Sequence, residues 1–146
     1  MISALARVLQ ELPEDAPHRD VYIADFKTMA DAAVKSQRKD GFWNVSLLDE
    51  SNYGGKETTG TALFVYSIAW GINNGILDRE KFLPTVAKGW NAIVKDAIHP
   101  DGYIGYVQGT GKEPKDGQPV TYDSKPDFDD FGTGCVLLAG TEVYKL

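Results

Sequence analysis

Carboxylates stand directly in front of two apolar segments of this 146-residue sequence. Glu57 precedes the segment 58–73, and a cluster of aspartates precedes the segment that begins at residue 132: Asp127, Asp129 and Asp130. At the start of a helix a carboxylate offsets the positive end of the helix dipole, and Thr58, Thr59 or Asp130 can cap the exposed amides. The same amides and carboxylates can also bind sugar hydroxyl groups. The sequence leaves helix capping and ligand binding open for both groups.

Aromatic side chains are concentrated in the loops that lead into these two segments. They are Trp43, Tyr53, Tyr103, Tyr106 and Tyr122. An aromatic ring offers an apolar face to a sugar ring while neighbouring polar groups bind the hydroxyls. Ordinary packing within the loop is the alternative role for each of them.

Other kinds of site find little support in the residues. The run 108–112 lacks the spacing of a phosphate-binding loop. His18 and His99 each adjoin a proline and are far apart in sequence, so no metal site is predicted and no cofactor is expected. Cys135 lies inside an apolar segment without an activating neighbour, which favours a role as a small buried hydrophobic residue.

The segment 58–73 is the element around which the rest is arranged. It is apolar on nearly every side but too short to span a bilayer, which requires about 20 residues. It is therefore predicted to be a helix buried in a larger helical body. The same sequence pattern occurs twice. Each copy has an Asp-Gly turn, at residues 40–41 and 101–102, then a long loop, and then a Thr-Gly helix start, at 59–60 and 133–134. Repeated helical hairpins are typical of solenoids and closed toroids.

The hydrophobic periodicity predicts helices over the following ranges: 2–12, 18–38, 58–73, from Pro84 to just before Pro100, and 132–145. A short strand or hairpin over 103–107 is the alternative to irregular structure there. The loops 40–57 and 99–131 both lead into the starts of buried helices, so we expect them to meet at one end of the bundle. The link 73–78 lies at the other end.

Charge and cysteine content limit the partners. The net charge of −6 and the pI of about 4.8 argue against a nucleic-acid partner, and no segment predicts a membrane partner. A single cysteine provides no disulfide framework, and the sequence opens without a signal-peptide pattern on a helix already under way. A cytoplasmic location is favoured and a periplasmic one stays open.

With both loops and both repeats considered, the whole chain resembles the C-terminal part of the unsaturated rhamnogalacturonyl hydrolases, glycoside hydrolase family 105. The matching pieces follow the order of the family: Ala6-Arg7-Val8-Leu9, Leu12-Pro13, Gln37, Asp40-Gly41-Phe42-Trp43, Glu57-Thr58-Thr59-Gly60-Thr61-Ala62, Gly89-Trp90, Gly109-Thr110, Tyr122, Phe131-Gly132-Thr133-Gly134 and Leu138-Ala139-Gly140-Thr141-Glu142-Val143.

This resemblance implies an all-α fold, an (α/α)6 toroid with its pocket at the N-terminal end of the inner helices. Residues 1–146 would form the C-terminal half of that toroid, about five helices in stacked hairpins with the long loops at one end. In the family an aspartate acts as general acid and base: it protonates the C4=C5 bond of a 4,5-unsaturated uronyl residue while water adds at C5. It does so without a metal or other cofactor, and the hemiketal that results releases the sugar.

The resemblance also assigns a sugar-facing wall but no catalytic residue. The family's aspartate, and a tryptophan-arginine segment that helps hold the uronate, precede the point where this chain begins. The residues that carry over to the wall are Trp43, Glu57, Thr58, Gln108, Gly109, Thr110 and Tyr122. The family often has Cys-x-Gly-Thr where residues 107–110 read Val-Gln-Gly-Thr, which departs from its pattern.

Two functions are therefore expected. In the first, the chain is the C-terminal portion of a hydrolase acting on pectin-derived unsaturated oligosaccharides, inactive alone because the catalytic acid lies upstream. In the second, it is a non-catalytic sugar-binding or self-assembling half-toroid, which associates through the flank that the missing half would cover.

Overall fold

A computed structural model describes residues 1–113, 115–124 and 130–146, and these residues form an all-α fold. Its helices are α1 (Ile2–Glu11), α2 (Arg19–Ser36), α3 (Thr58–Asn73), α4 (Arg79–Ala92) and α5 (Asp130–Val143). A π-helical turn, Ile93–Ala97, continues from the end of α4. The predicted class and the number of helices are confirmed.

Helix α3 is at the centre of the helix packing. It packs against α1, α4 and α5, and α2 packs against α1. The central helix α3 buries residues on all sides against its neighbours, and the ring of Trp70 meets that of Phe26 from α2 edge to face at 5.6 Å between centroids. The prediction of an all-round buried helix over 58–73 is therefore confirmed to the residue.

Helix α4 begins earlier than the sequence predicted. Asp78 caps it, its side chain accepting a hydrogen bond of 2.7 Å from the amide of Lys81, and Pro84 lies inside the helix rather than at its start. The cap outweighs the proline because Pro84 removes only one amide hydrogen bond, that to the carbonyl of Glu80, close to the helix start. Helix α5 likewise begins at Asp130, two residues before the predicted position.

The short strand that the sequence left open as an alternative over 103–107 is not formed. In the described part of the chain β-pairing consists of two isolated antiparallel bridges, Trp43 with Glu57 and Ile98 with Ile104. The first bridge joins the two ends of the loop 40–57, and the second closes a short turn at the beginning of the loop 99–131. None of the described helices has the length and hydropathy that a membrane span requires.

The two long loops meet at one end, as predicted. Helices α3 and α5 run parallel: the Asn73 amide at the end of α3 donates to the carbonyl and the carboxylate of Glu142 near the end of α5, at 2.9 Å each. At the opposite end, the amide of Thr58 donates to the carbonyl of Tyr106, in the second loop, at 2.8 Å. The described residues of both loops therefore surround the starts of α3 and α5.

Gly71 allows α3 to lie close to its neighbours. A Cβ at this position would lie 2.7 Å from Leu77 Cδ1 and from Phe26 Cε1. We expect Gly71→Ala to lower the free energy of unfolding by about 1–3 kcal/mol, the usual cost of overpacking a core. Urea denaturation followed by circular dichroism measures it.

Gly134, in α5, is the matched control because a Cβ there meets no atom within 4 Å. Gly134→Ala should be neutral or stabilise by up to about 1 kcal/mol, since alanine is the better helix former. Equal losses of stability in both variants would contradict the packing role of Gly71.

Candidate functional site

Glu57 caps α3 with both of its carboxylate oxygens. One oxygen accepts from the amide and the hydroxyl of Thr59 at 2.9 and 2.7 Å, and the other accepts from the amide of Gly60 at 2.6 Å. The side chain is buried. The sequence predicted that Thr58 or Thr59 caps this helix and that Glu57 offsets its dipole; the structure instead makes Glu57 the cap and places Thr58 and Thr59 in the first turn of α3.

Thr58 joins the start of α3 to the second loop and does not face a ligand. Its hydroxyl donates to the carbonyl of Gly105 at 2.6 Å, its amide donates to that of Tyr106, and its exposed fraction is 0%. The prediction that Thr58 lines a sugar-facing wall is wrong. The reason is that the loop crosses directly over the helix start and uses the donors of Thr58 for its own backbone.

Trp43 is a core residue. Its exposed fraction is 1%, its indole N–H donates to the carbonyl of Ala33 at 2.8 Å, and its ring packs on that of Phe64 at 5.1 Å. The prediction of a half-exposed stacking platform at Trp43 is therefore wrong. The first loop turns inward here because a carbonyl near the end of α2 satisfies the indole donor, so the whole ring can be buried.

Gln108, Gly109 and Thr110 lie where the second loop passes the start of α3. The amide of Gln108 lies 3.5 Å from the Glu57 carboxylate, and its side-chain amide donates to the carbonyl of Asp116 at 3.0 Å. Gln108 and Gly109 are half-buried and Thr110 is exposed. The structure thus brings these three residues together at the loop end.

Tyr122 is half-buried and uses one face of its ring within the protein. It stacks on His99 with 3.6 Å between centroids and 9° between planes, and it lies 5.6 Å from Tyr106. His99 Nε2 also lies 2.9 Å from the carbonyl of Tyr122, so this nitrogen carries the hydrogen. The sequence suggested Tyr122 as a platform but gave no role to His99, which the fold makes its packing partner.

Lys56 is the residue at this end that sequence reasoning gave no role. Its ammonium lies 2.7 Å from the Asp96 carboxylate, in the π-helical turn, and over the rings of Phe42 and Tyr106 at 5.5 and 5.4 Å. The hydrogen bond to Asp96 raises the pKa of Lys56 above its ordinary value, against the opposing effect of burial. These partners are all distant from Lys56 in sequence, so no local pattern around Lys56 indicates them.

Two further groups near this end have shifted pKa values. Burial by itself would raise the pKa of Asp40, but hydrogen bonds from Arg38 and from the amide of Phe42 hold this pKa below its ordinary value. Burial, with the Glu57 carboxylate nearby, raises the pKa of the Cys135 thiol. Cys135 therefore stays a thiol at neutral pH, and it packs against the core as predicted but is half-buried rather than fully buried.

Metal ligands are not gathered at this end in the part of the chain that the structure describes. Residues 1–113, 115–124 and 130–146 contain no group of three or more His, Cys, Asp or Glu side chains placed to hold an ion. Asp127 and Asp129, which the sequence analysis placed before α5, lie outside the described residues.

The whole chain matches a known family. The model of Glycosyl Hydrolase Family 88 covers residues 1–146. The chain belongs to this family. Its fold agrees: a structure of a family 88 glycosyl hydrolase from Bacteroides vulgatus is 42% identical and superposes with a TM-score of 0.89 over 99% of this chain and 41% of that one. A family 105 glycoside hydrolase from C. acetobutylicum is 27% identical with a TM-score of 0.76.

Two curated relatives carry the name unsaturated 3S-rhamnoglycuronyl hydrolase. The one from Formosa agariphila is 42% identical over 146 residues, which are 100% of this chain and 37% of that protein. The one from an Alteromonas species is 38% identical over 143 residues, 98% of this chain and 33% of that protein. The chain thus spans about a third of the length of these relatives. The predicted resemblance to unsaturated uronyl hydrolases, and to part of their toroid, is confirmed.

The Glu57 cap yields a test of the loop end. We expect Glu57→Ala to lower the free energy of unfolding by about 1–2 kcal/mol, because the amides of Thr59 and Gly60 lose their buried acceptor. Urea denaturation measures the loss. The exposed Glu50 of the same loop is the matched control, and Glu50→Ala should stay within about 0.5 kcal/mol of the wild type. If both variants unfold at the wild-type urea concentration, the cap does not stabilise α3.

Proposed function

We propose that this chain is the loop-bearing C-terminal portion of a glycoside hydrolase that removes 4,5-unsaturated uronyl residues from oligosaccharides. The observation that carries the proposal is the family 88 match over all 146 residues. The names of the two relatives support a substrate in which a glycuronyl residue is joined to rhamnose. Pectin-derived oligosaccharides, which the sequence analysis expected, are one source of such a substrate.

The proposed reaction is the hydration of the C4=C5 double bond. A carboxylic acid delivers a proton to C4 and water supplies the hydroxyl at C5, so that one water is consumed and a hemiketal forms. The hemiketal then opens and releases the neighbouring sugar. No residue of this chain matches the family's catalytic aspartate, so we propose that the acid comes from a segment outside these 146 residues.

The part proposed for this chain is to bind the oligosaccharide at the loop end. Gln108, Gly109 and Thr110 offer amide and hydroxyl groups beside the start of α3, and Tyr122 offers a half-exposed ring. Such a mixture of hydrogen-bonding groups and an apolar ring suits a sugar. Glu57 contributes by holding the first turn of α3 in place, since its own oxygens are engaged by the cap.

The isolated chain is expected to show no turnover of an unsaturated uronyl–rhamnose disaccharide. Hydration removes the ultraviolet absorbance of the conjugated double bond, so absorbance against time measures the reaction. A full-length family 88 hydrolase serves as the positive control. Loss of absorbance above a protein-free blank, at a rate proportional to the concentration of the chain, would place the catalytic acid within these residues.

A second candidate function, self-assembly, is favoured by the exposed flank of α5. Exposed side chains recur along it: Thr133, Leu137, Leu138, Thr141 and Tyr144. Leu137 is 64% exposed and Tyr144 is 93% exposed. Apolar patches of this kind favour association, and pairing two copies about a two-fold axis is the simplest closed arrangement. The second copy would then cover the flank.

Self-assembly predicts a particle larger than the 16.0 kDa chain in multi-angle light scattering at micromolar concentration. Leu137→Lys should shift the population toward the monomer, because a charge in the interface is costly to bury. Val21, an exposed apolar residue on α2, is the matched control, and Val21→Lys should leave the size unchanged. A wild-type mass of one chain throughout the concentration range would rule the assembly out.

A further inference from the structure

Lys56 lies where four segments of the chain meet. Its ammonium pairs with Asp96, in the π-helical turn after α4, at 2.7 Å. The same ammonium lies over the ring of Phe42, at the beginning of the first loop, and over that of Tyr106, in the second. Lys56 itself directly precedes the Glu57 cap. One charged group therefore connects both loops, the end of α4 and the start of α3.

Partial burial distinguishes this pair from an ordinary surface ion pair. The side chains of Lys56 and Asp96 are each 27% exposed, whereas those of the Lys81–Asp31 pair are 55% and 44% exposed. Exposed pairs contribute little to stability, while partly buried ones are screened less by solvent and salt. The two rings add cation–π attraction to the same ammonium.

Tyr106 needs such support because its backbone is strained. Its φ is 55°, in the left-handed region that residues other than glycine adopt at a cost. Hydrogen bonds hold both of its backbone polar groups: its amide donates to the carbonyl of Thr121 at 3.0 Å, and its carbonyl accepts from Thr58. The ammonium of Lys56 lies over its ring. The path of the loop from Tyr106 to Gln108, two residues later, starts from this supported position.

We propose that Lys56 is a positioning residue for the sugar-facing loop end, acting through its ion pair with Asp96 and its contacts with the rings of Phe42 and Tyr106. Its charge holds Tyr106, and with it Gln108 and Thr110, at the start of α3. The proposed positioning of the loop does not depend on the proposed reaction. The effect of Lys56 on ligand affinity rests on the proposed function.

The positioning is tested in the intact 146-residue chain by amide chemical shifts in ¹H–¹⁵N NMR spectra. Lys56→Met and Asp96→Asn should shift the signals of Thr58, Tyr106 and Gln108 and leave that of Asn73, at the far end, in place. Lys56→Arg should retain the wild-type signals because it keeps the charge and stacks on aromatic rings. Asp96→Asn, which leaves Lys56 and both rings intact, keeps the test decisive if Lys56→Met unfolds.

Lys81 offers a matched control of the same chemistry away from the loops. It pairs with Asp31 at 2.6 Å and lies over the ring of Phe82 at 4.9 Å. Lys81→Met should therefore leave the three loop signals unmoved. The proposal is overturned if Lys56→Met and Asp96→Asn also leave them unmoved, or if Lys81→Met shifts them as much.

Affinity provides the second readout, with an unsaturated uronyl–rhamnose disaccharide titrated into each variant. Lys56→Met should weaken binding by about tenfold, while Lys56→Arg and Lys81→Met bind like the wild type. Unchanged affinity in Lys56→Met with shifted loop signals would reduce Lys56 to a structural role and overturn the proposal. If the wild-type chain binds no disaccharide, the binding part proposed for the loop end fails, and the loop signals alone decide whether Lys56 positions the loop.

Discussion

The cap on α3 is the interaction on which the loop end depends. Glu57 satisfies the first amides of a helix that is buried on all sides, where water cannot replace a lost acceptor. The next residue, Thr58, uses its amide and its hydroxyl for the second loop. Two adjacent residues thus fix the helix start and the loop above it. Every group that we propose to contact a sugar is positioned relative to this point.

The elements of the fold were largely readable from the sequence because their signals are local. Helix α3 combines a continuous apolar run with an Asn-Gly stop, and Gly75 indeed has a φ of 68°. The carboxylate in front of α3 was an equally local signal, although the cap is Glu57 itself rather than the predicted Thr58 or Thr59. The start of α4 differs from the prediction because Pro84 is a typical helix-start residue, yet a single missing amide near a helix start is a small cost and Asp78 caps the helix earlier.

The site was less predictable, since it depends on the backbone paths of the two long loops. Composition alone does not distinguish a loop tryptophan that faces solvent from one that turns inward, and the deciding feature for Trp43 was the carbonyl of Ala33, on another element, which accepts from its indole. The pairing of Lys56 with Asp96 spans 40 residues and depends on the π-helical turn. Neither partner has a spacing that points to the other.

The parallel direction of α3 and α5 sets the charge balance at their common end. Each helix start carries the equivalent of about half a positive charge. Glu57 at one and Asp130 at the other each bring a full negative charge, so the carboxylates outweigh the two dipoles. Such an end repels an anion at close range. A ligand beside these two helix starts is therefore better matched by neutral hydroxyl groups than by a carboxylate.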